Sequence, residues 1–147
     1  MKREKSEKGI TFIELILVLA IMLTLSVMAP VFYSRFLLQN STINATDQLV
    51  GSLRKAQMYS MMSKEGSEWS VNVSSNTITL YKGSPPYVPS SFDEKFDLNP
   101  NVLVSGITDV AFARITGRPG STTTVTISSP GNNPQQIIVN SEGVVNR

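Results

Sequence analysis

The sequence predicts an α+β fold, in which a long N-terminal helix, half transmembrane and half amphipathic, packs on a small antiparallel β-sheet head. Three observations predict it. An apolar run extends from Leu15 to Val31, apolar residues then recur at helical spacing to about Ser63, and short alternating segments follow. In a chain of 147 residues, one membrane span leaves room for a single small domain.

The apolar run contains only two polar side chains, Thr24 and Ser26. As a helix, Ile10 to Val31 would reach roughly 33 Å, which is enough to cross the hydrocarbon core of a bilayer. Glu14 is the anomaly, because an acid at mid-membrane costs about 2.5 to 3.5 kcal/mol on insertion scales. No basic residue lies between Ile10 and Phe32 to pair with it in the same chain.

Three interpretations of this segment compete. In the first, Glu14 lies in the first helical turn near the headgroups, where the helix dipole favours an acid. In the second, residues 1–29 are a secretory signal with a small-residue cleavage site at Val27-Met28-Ala29. Pro30 directly after that bond, and an acid inside the apolar region, argue against the second. In the third, the chain is cut after Gly9.

The third interpretation follows from a resemblance. The basic leader, Gly9, Phe12-Ile13-Glu14 and the apolar span resemble the class III signal of type IV prepilins and pseudopilins. The resemblance implies cleavage after Gly9 by prepilin peptidase and N-methylation of Ile10, which makes Glu14 the fifth mature residue. It also implies that Glu14 pairs with the terminal amine of a neighbouring subunit, so Glu14 is an assembly residue.

The same resemblance predicts the organisation and location of the chain. Residues 1–9 are the prepilin leader, 10–31 the transmembrane and assembly helix, 32–64 its amphipathic continuation, and 65–147 the β-rich head. The protein is then a single-pass inner-membrane protein with a cytoplasmic N-terminus and a periplasmic or extracellular head. Its partners are prepilin peptidase, other pilin or pseudopilin subunits in a helical fibre, the inner-membrane assembly platform and, before assembly, membrane lipid.

Charge and composition limit the functions of the head. The leader carries four basic and two acidic side chains, which account for the whole net charge of +2. The positive leader fits a cytoplasmic N-terminus, and nucleic acid is not an expected partner of the neutral remainder. The chain contains no histidine and no cysteine, which excludes Ser-His-Asp and Cys-His catalysis, thiolate or imidazole metal sites and disulfides. No cofactor and no metal site are expected.

The second half of the helix is predicted from apolar spacing after Pro30, which should kink the helix. Apolar residues from Val31 to Met61 recur at helical spacing, so one face should pack on the head. Asn40-Ser41-Thr42 and Gly51 are predicted weak points in the helix. The methionines Met58, Met61 and Met62 are interpreted as core filling.

Beyond Gly66, a predicted helix stop, the composition changes to β-forming residues. Residues 69–73 and 77–81 alternate around a turn at 74–76, which predicts a hairpin, and 83–89 read as an irregular loop. Phe92, Phe96 and Leu98 should pack inward from a charged segment. Further short strands are expected at 102–105, 110–114, 123–128, 136–140 and 144–146, forming one antiparallel sheet or two.

Two further segments narrow the resemblance. Leu49 to Gln57, a leucine-containing helix with Arg54 and Ala56, looks like the corresponding helix of H-type minor pseudopilins and FimT-like minor pilins. Ile137 to Val145 looks like the final hairpin of the same group. The implied function is therefore a structural subunit, a minor pilin or pseudopilin, of a type IV pilus or a type II secretion-like fibre.

Two other classes of function compete with this one. The first is a DNA- or ligand-binding minor pilin at a fibre tip, serving DNA uptake or adhesion, with Arg114, Arg118 and Arg147 as candidate contacts. Three arginines on a neutral domain would attract a nucleic acid backbone only weakly. The second is an enzyme using the carboxylates of residues 93, 94 and 97, but these acids lie in a charged loop without a catalytic partner, so no enzyme is expected.

Overall fold

The computed structural model describes residues 9–74, 76–106 and 108–147. The predicted leader, apart from Gly9, and Ser75 of the predicted turn lie outside the described residues. The chain forms two compact units, which divide between Phe36 and Leu37.

One long helix, α1, spans Phe12–Met61. It continues through Asn40-Ser41-Thr42 and through Gly51, so the predicted weak points do not interrupt it. The hydroxyl of Thr42 donates to the carbonyl of Leu38, one turn earlier, at 3.1 Å. Because such a back-bond satisfies the hydroxyl within the helix, polar residues here are compatible with helical structure.

The helix face that packs on the head is lined by small and branched residues that have neighbours of the same face three and four positions away. Several of them are small, which lets the sheets approach the helix backbone closely. The buried residues of this face are Thr42, Ala45, Thr46, Leu49, Ser52, Leu53, Ala56 and Ser60.

The methionines at the end of α1 are not core filling, so that prediction was wrong. Met58 is 46% exposed, Met61 47% and Met62 71%. The buried face passes through Ala56 and Ser60 instead, and at 100° per residue Met58 and Met62 lie on the far side of it. Three methionine side chains are therefore on the surface of the head.

The end of α1 is tied to the sheet through Ser60. Its carbonyl accepts hydrogen bonds from the backbone N–H groups of Ser63 (3.0 Å) and Ile115 (2.9 Å), and its hydroxyl accepts one from the N–H of Trp69 (2.9 Å). Ser63 takes a left-handed conformation, with φ of 50°, and a short 3-10 turn follows at Lys64–Gly66. The helix therefore ends slightly before the predicted boundary at about Ser63.

Within the residues that the structure describes, eight strands form two antiparallel four-stranded sheets, with strand orders β3-β2-β1-β5 and β4-β6-β7-β8. The sequence was compatible with either one sheet or two, and the structure has two. The predicted hairpin is β1 and β2, in which Val71 pairs with Leu80. The strands are β1 Trp69–Ser74, β2 Thr77–Lys82, β3 Glu94–Asp97, β4 Leu103–Ser105, β5 Asp109–Phe112, β6 Thr123–Ser128, β7 Gln135–Val139 and β8 Val145–Asn146.

Strand β3 was not predicted. Phe96, its one apolar residue, pairs with Ile78 of β2 and packs partly buried against the core, and Leu98 after it is buried. Phe92 does not pack inward as expected, because it is 42% exposed and the ammonium of Lys82 lies 4.7 Å from its ring centroid. The charged segment therefore supplies an edge strand and only part of the predicted packing.

The core of the head lies between residues 37–61 of α1 and the two sheets. Its largest fully buried apolar side chains include Trp69, Phe112, Leu53, Ile78 and Ile137, which come from the helix and from both sheets. The chain has no cysteine, so no disulfide stabilises the head, whereas packing of these apolar side chains does.

Candidate functional site

The predicted cleavage site lies just outside the helix. Gly9, Ile10 and Thr11 have no regular secondary structure, and α1 begins at the next residue, Phe12. Ile10 is 77% exposed, and no atom lies within 4 Å of the space that a side chain on Gly9 would occupy. The peptide bond between Gly9 and Ile10 is therefore exposed.

Glu14 lies in the first turn of α1 and is exposed. Its backbone N–H donates to the hydroxyl of Thr11 at 3.4 Å, and the first N–H groups of a helix carry a partial positive charge that favours an acid. None of the ion pairs between residues that the structure describes includes Glu14. This position fits the helix-dipole interpretation and leaves the carboxylate free to meet a charge on another molecule.

After Glu14, α1 offers an apolar surface. Large apolar residues from Leu15 to Met28 are all exposed, and the most apolar stretch of the helix has none of its residues buried. The hydroxyls of Thr24 and Ser26 donate to carbonyls of their own helix, at 2.8 and 2.7 Å, so neither needs water. The helix is long and apolar enough to cross a membrane.

Pro30 lies inside α1, and helical residues continue on both sides of it. A proline cannot donate the backbone hydrogen bond that the helix expects at this position. The kink expected at Pro30 stays a prediction.

The three candidate arginines for DNA or another ligand are each engaged with a group of the head. In such a pair the guanidinium charge is partly satisfied within the protein, which weakens its attraction for a phosphate. The contacts are Arg114 to the carbonyl of Gly66 at 2.8 Å, Arg118 to the carboxylate of Glu142 at 2.8 Å, and Arg147 to the carboxylate of Asp47 at 3.0 Å.

These arginines do not share one surface patch. Arg147 contacts α1 at Asp47. Gly117, which precedes Arg118, contacts α1 ten residues further along, where the side-chain amide of Gln57 donates to the carbonyl of Gly117 at 3.2 Å. Ten residues of helix separate the two helix positions, a rise of about 15 Å. The structure therefore gives no concentrated basic surface at the predicted residues.

Arg147 also borders a polar groove of about 380 Å³ between α1 and the loop before β7. The residues that line it include Gln39, Asn132 and Gln135. Because Asp47 pairs with Arg147, the groove presents hydrogen-bonding groups with little net charge. This lining does not favour a nucleic acid backbone over other polar ligands.

The acids at 93, 94 and 97 do not form one site. Glu94 pairs with Lys55 at 2.5 Å, and the carboxylate of Asp97 accepts from the hydroxyl of Thr77 at 3.1 Å. Among the residues that the structure describes, no group of three or more acids could hold a metal ion. Each carboxylate has its own structural partner.

Asp93 shows how this loop is held. Its carboxylate accepts hydrogen bonds from the hydroxyl of Tyr87 at 2.6 Å and from the N–H and hydroxyl of Ser90 at 3.1 and 2.8 Å. Partial burial by itself would raise the pKa of Asp93, but these hydrogen bonds prevail and lower it. A general acid would need a raised pKa, so Asp93 acts as an acceptor that orders the loop.

Thr11 is a residue of this site to which the sequence analysis assigned no role. A threonine followed three positions later by a glutamate, just before an apolar run, is the signature of a capping box. Thr11 and Glu14 have this spacing, and the structure shows the threonine half of the motif. The spacing was therefore the signal that could have identified Thr11.

Comparison with known proteins finds no matching family model, no matching curated protein and no matching solved structure.

Proposed function

We propose that this chain is a structural subunit, a minor pilin or pseudopilin, of a type IV pilus or a type II secretion-like fibre. Prepilin peptidase cuts it after Gly9, Ile10 becomes N-methylated, and Glu14 directs assembly. Before assembly the subunit is anchored in the inner membrane by residues 10–31, with its head periplasmic or extracellular. The assembly platform of that membrane then transfers it to the fibre.

The observation that carries this proposal is Glu14, an exposed acid at the start of an apolar helix with no ion-pair partner among the described residues. An acid in apolar surroundings is costly unless it is paired. Cleavage after Gly9 would create a positive amine on Ile10, and the amine of one subunit can pair with Glu14 of another. In low dielectric the attraction within that pair is strong, but both charges lose their water, which offsets much of the gain in stability. The pair would therefore act mainly by fixing the position of one subunit relative to the next.

The exposed apolar surface of α1 supports the same proposal. Apolar side chains from Leu15 to Met28 would be in contact with lipid before assembly and with other subunits afterwards. The hydroxyls of Thr24 and Ser26 are already bonded within the helix, so both environments are acceptable. A water-exposed helix of this composition would be unstable, since nothing would cover it.

Glu14→Gln tests the assembly role. We expect the variant to be inserted and cut after Gly9 like the wild type, because its hydropathy and helix start are preserved. It should accumulate in the membrane fraction, with at least a tenfold lower share of processed chain in fibres, because the charge that pairs with the Ile10 amine is gone. The measurement is the ratio of processed chain in isolated fibres to that in membranes.

Glu65→Gln is the matched control, since Glu65 is an exposed acid in the head with no ion pair among the described residues. It should assemble like the wild type. Equal assembly of the Glu14→Gln variant would remove the role given to Glu14.

A further inference from the structure

The start of α1 is fixed by a side chain two residues beyond the proposed cleavage site. The carbonyl of Thr11 accepts the helical hydrogen bond from the N–H of Leu15 at 3.1 Å, and its hydroxyl accepts from the N–H of Glu14 at 3.4 Å. These two bonds define Thr11 as the N-cap and Phe12 as the first helical residue. Thr11 itself, Ile10 and Gly9 are not helical.

This boundary matters because the sequence offers the helix another place to start. Ser6 is the next residue towards the N-terminus whose hydroxyl can serve as an N-cap. A helix that began after Ser6 would contain the peptide bond between Gly9 and Ile10 in its first turns. A peptide bond within a helix is reached by a protease only after local opening, whereas one in a non-helical segment is already accessible.

We propose that Thr11 is a positioning residue for proteolytic maturation, because its cap at Phe12 holds the bond between Gly9 and Ile10 outside the helix. This inference rests on the proposed cleavage after Gly9. In that reaction the peptidase directs water to the carbonyl carbon of Gly9, and the C–N bond to Ile10 breaks. Gly9 leaves as a carboxylate and Ile10 as a protonated amine.

Thr11 acts on this step through the backbone and does not touch the reacting atoms. Its cap leaves the carbonyl of Gly9 and the N–H of Ile10 without helical partners, so both are available to the peptidase. Removing the hydroxyl takes away the preference for a start at Phe12 and lets helix extend towards the leader.

The test compares Thr11→Val, which removes the hydroxyl and keeps the β-branched shape, with Thr11→Ser, which keeps the hydroxyl. Full-length chains are expressed with prepilin peptidase, and the rate of conversion is followed by pulse-chase. We expect Thr11→Val to be cut roughly twofold to thirtyfold more slowly, the range that corresponds to loss of an N-cap, and Thr11→Ser to retain the wild-type rate. Thr24→Val, the same exchange further along α1, should leave the rate unchanged.

A second measurement tests the helix start without the peptidase. In the uncut full-length chain in detergent micelles, the Cα chemical shifts of Gly9 and Ile10 should move towards helical values in Thr11→Val and stay in place in Thr11→Ser. Unchanged shifts, or equal cleavage rates of Thr11→Val and the wild type, would overturn the role of Thr11 and leave the proposed function standing. A wild-type chain that is not cut after Gly9 would overturn the proposed function and this inference with it.

Discussion

Asp109 accepts hydrogen bonds from two side chains on one face of the β3-β2-β1-β5 sheet. The amide of Asn72 and the hydroxyl of Tyr81 both donate to the same carboxylate oxygen of Asp109 at 3.0 Å. Burial of the hydroxyl, together with its hydrogen bond to this carboxylate, raises the pKa of Tyr81 to about 12. Tyr81 therefore links side-chain ionisation to the stability of the head.

The stability of the head should depend on pH in the alkaline range. Below pH 10 the Tyr81 hydroxyl is protonated in both the folded and the unfolded chain, so its full contribution is present. Between pH 10 and about 12 only the unfolded chain loses that proton, so the free energy of unfolding falls as pH rises. Urea unfolding of the full chain in detergent micelles, at intervals from pH 8 to pH 12, measures this.

Tyr81→Phe is the control, because it removes the titrating hydroxyl and leaves the other tyrosines. Its stability should fall less steeply over the same interval. The same slope in both proteins would show that Tyr81 ionises normally in the folded state.

At the residue scale, the sequence predicts the unpaired state of Glu14 better than it predicts which side chains are buried at the end of α1. The isolated acid in an apolar run singles out Glu14, and the structure leaves it exposed and without an ion pair among the described residues. The exposure of Met58, Met61 and Met62 was not predictable from spacing alone, because the small residues Ala56 and Ser60 form the buried face there. Small residues carry almost no periodic hydrophobic signal.

At the element scale, the turn between β7 and β8 packs closely against α1. Gly143 has φ of +85° and faces α1, and a Cβ there would lie 2.5 Å from the carbonyl oxygen of Gly117 and would also overlap the amide of Gln57. The turn glycine Gly131 has a similar φ of +78° but no atom within 4 Å of its Cβ position. An alanine at Gly131 would therefore have only backbone strain, whereas one at Gly143 would have both backbone strain and steric overlap.

Alanine at these two positions should have different costs. Gly131→Ala should lower the free energy of unfolding by about 1 to 2 kcal/mol through the left-handed backbone alone. Gly143→Ala should lower it by about 2 to 5 kcal/mol, because overlap with the Gly117 carbonyl and with Gln57 adds to that strain. Equilibrium urea unfolding of both variants at one pH measures the difference, and equal costs would mean that the contact of this turn with α1 is loose.

Elements with a clear period were predicted, and those without one were not. The long helix and the hairpin of β1 and β2 follow from apolar spacing, and β6 has the predicted bounds. Strand β3 was missed because Glu94–Asp97 contains a single apolar residue, and its pairing with β2 depends on contacts distant in sequence. The division into two sheets depends likewise on strand order, which local pattern does not encode.

At the scale of the whole molecule, the chain combines a helix whose most apolar stretch has no buried residue with a head that has its own core. The chain has no cysteine, and the three arginines predicted as ligand contacts are engaged with groups of the head itself. The N-terminal segment from Gly9 to Met28 is exposed and largely apolar. This exposed apolar segment is the reason why the proposed function is membrane insertion and assembly.

The most direct test is the intact mass and N-terminal sequence of the protein recovered from membranes of cells with and without prepilin peptidase. A fibre subunit must begin at Ile10, carry one N-methyl group, and have this start only when the peptidase is present. A chain that begins at Pro30 would instead be a secreted domain, and one that keeps Met1 in both strains would be a simple membrane-anchored domain. Either result would contradict the proposed function.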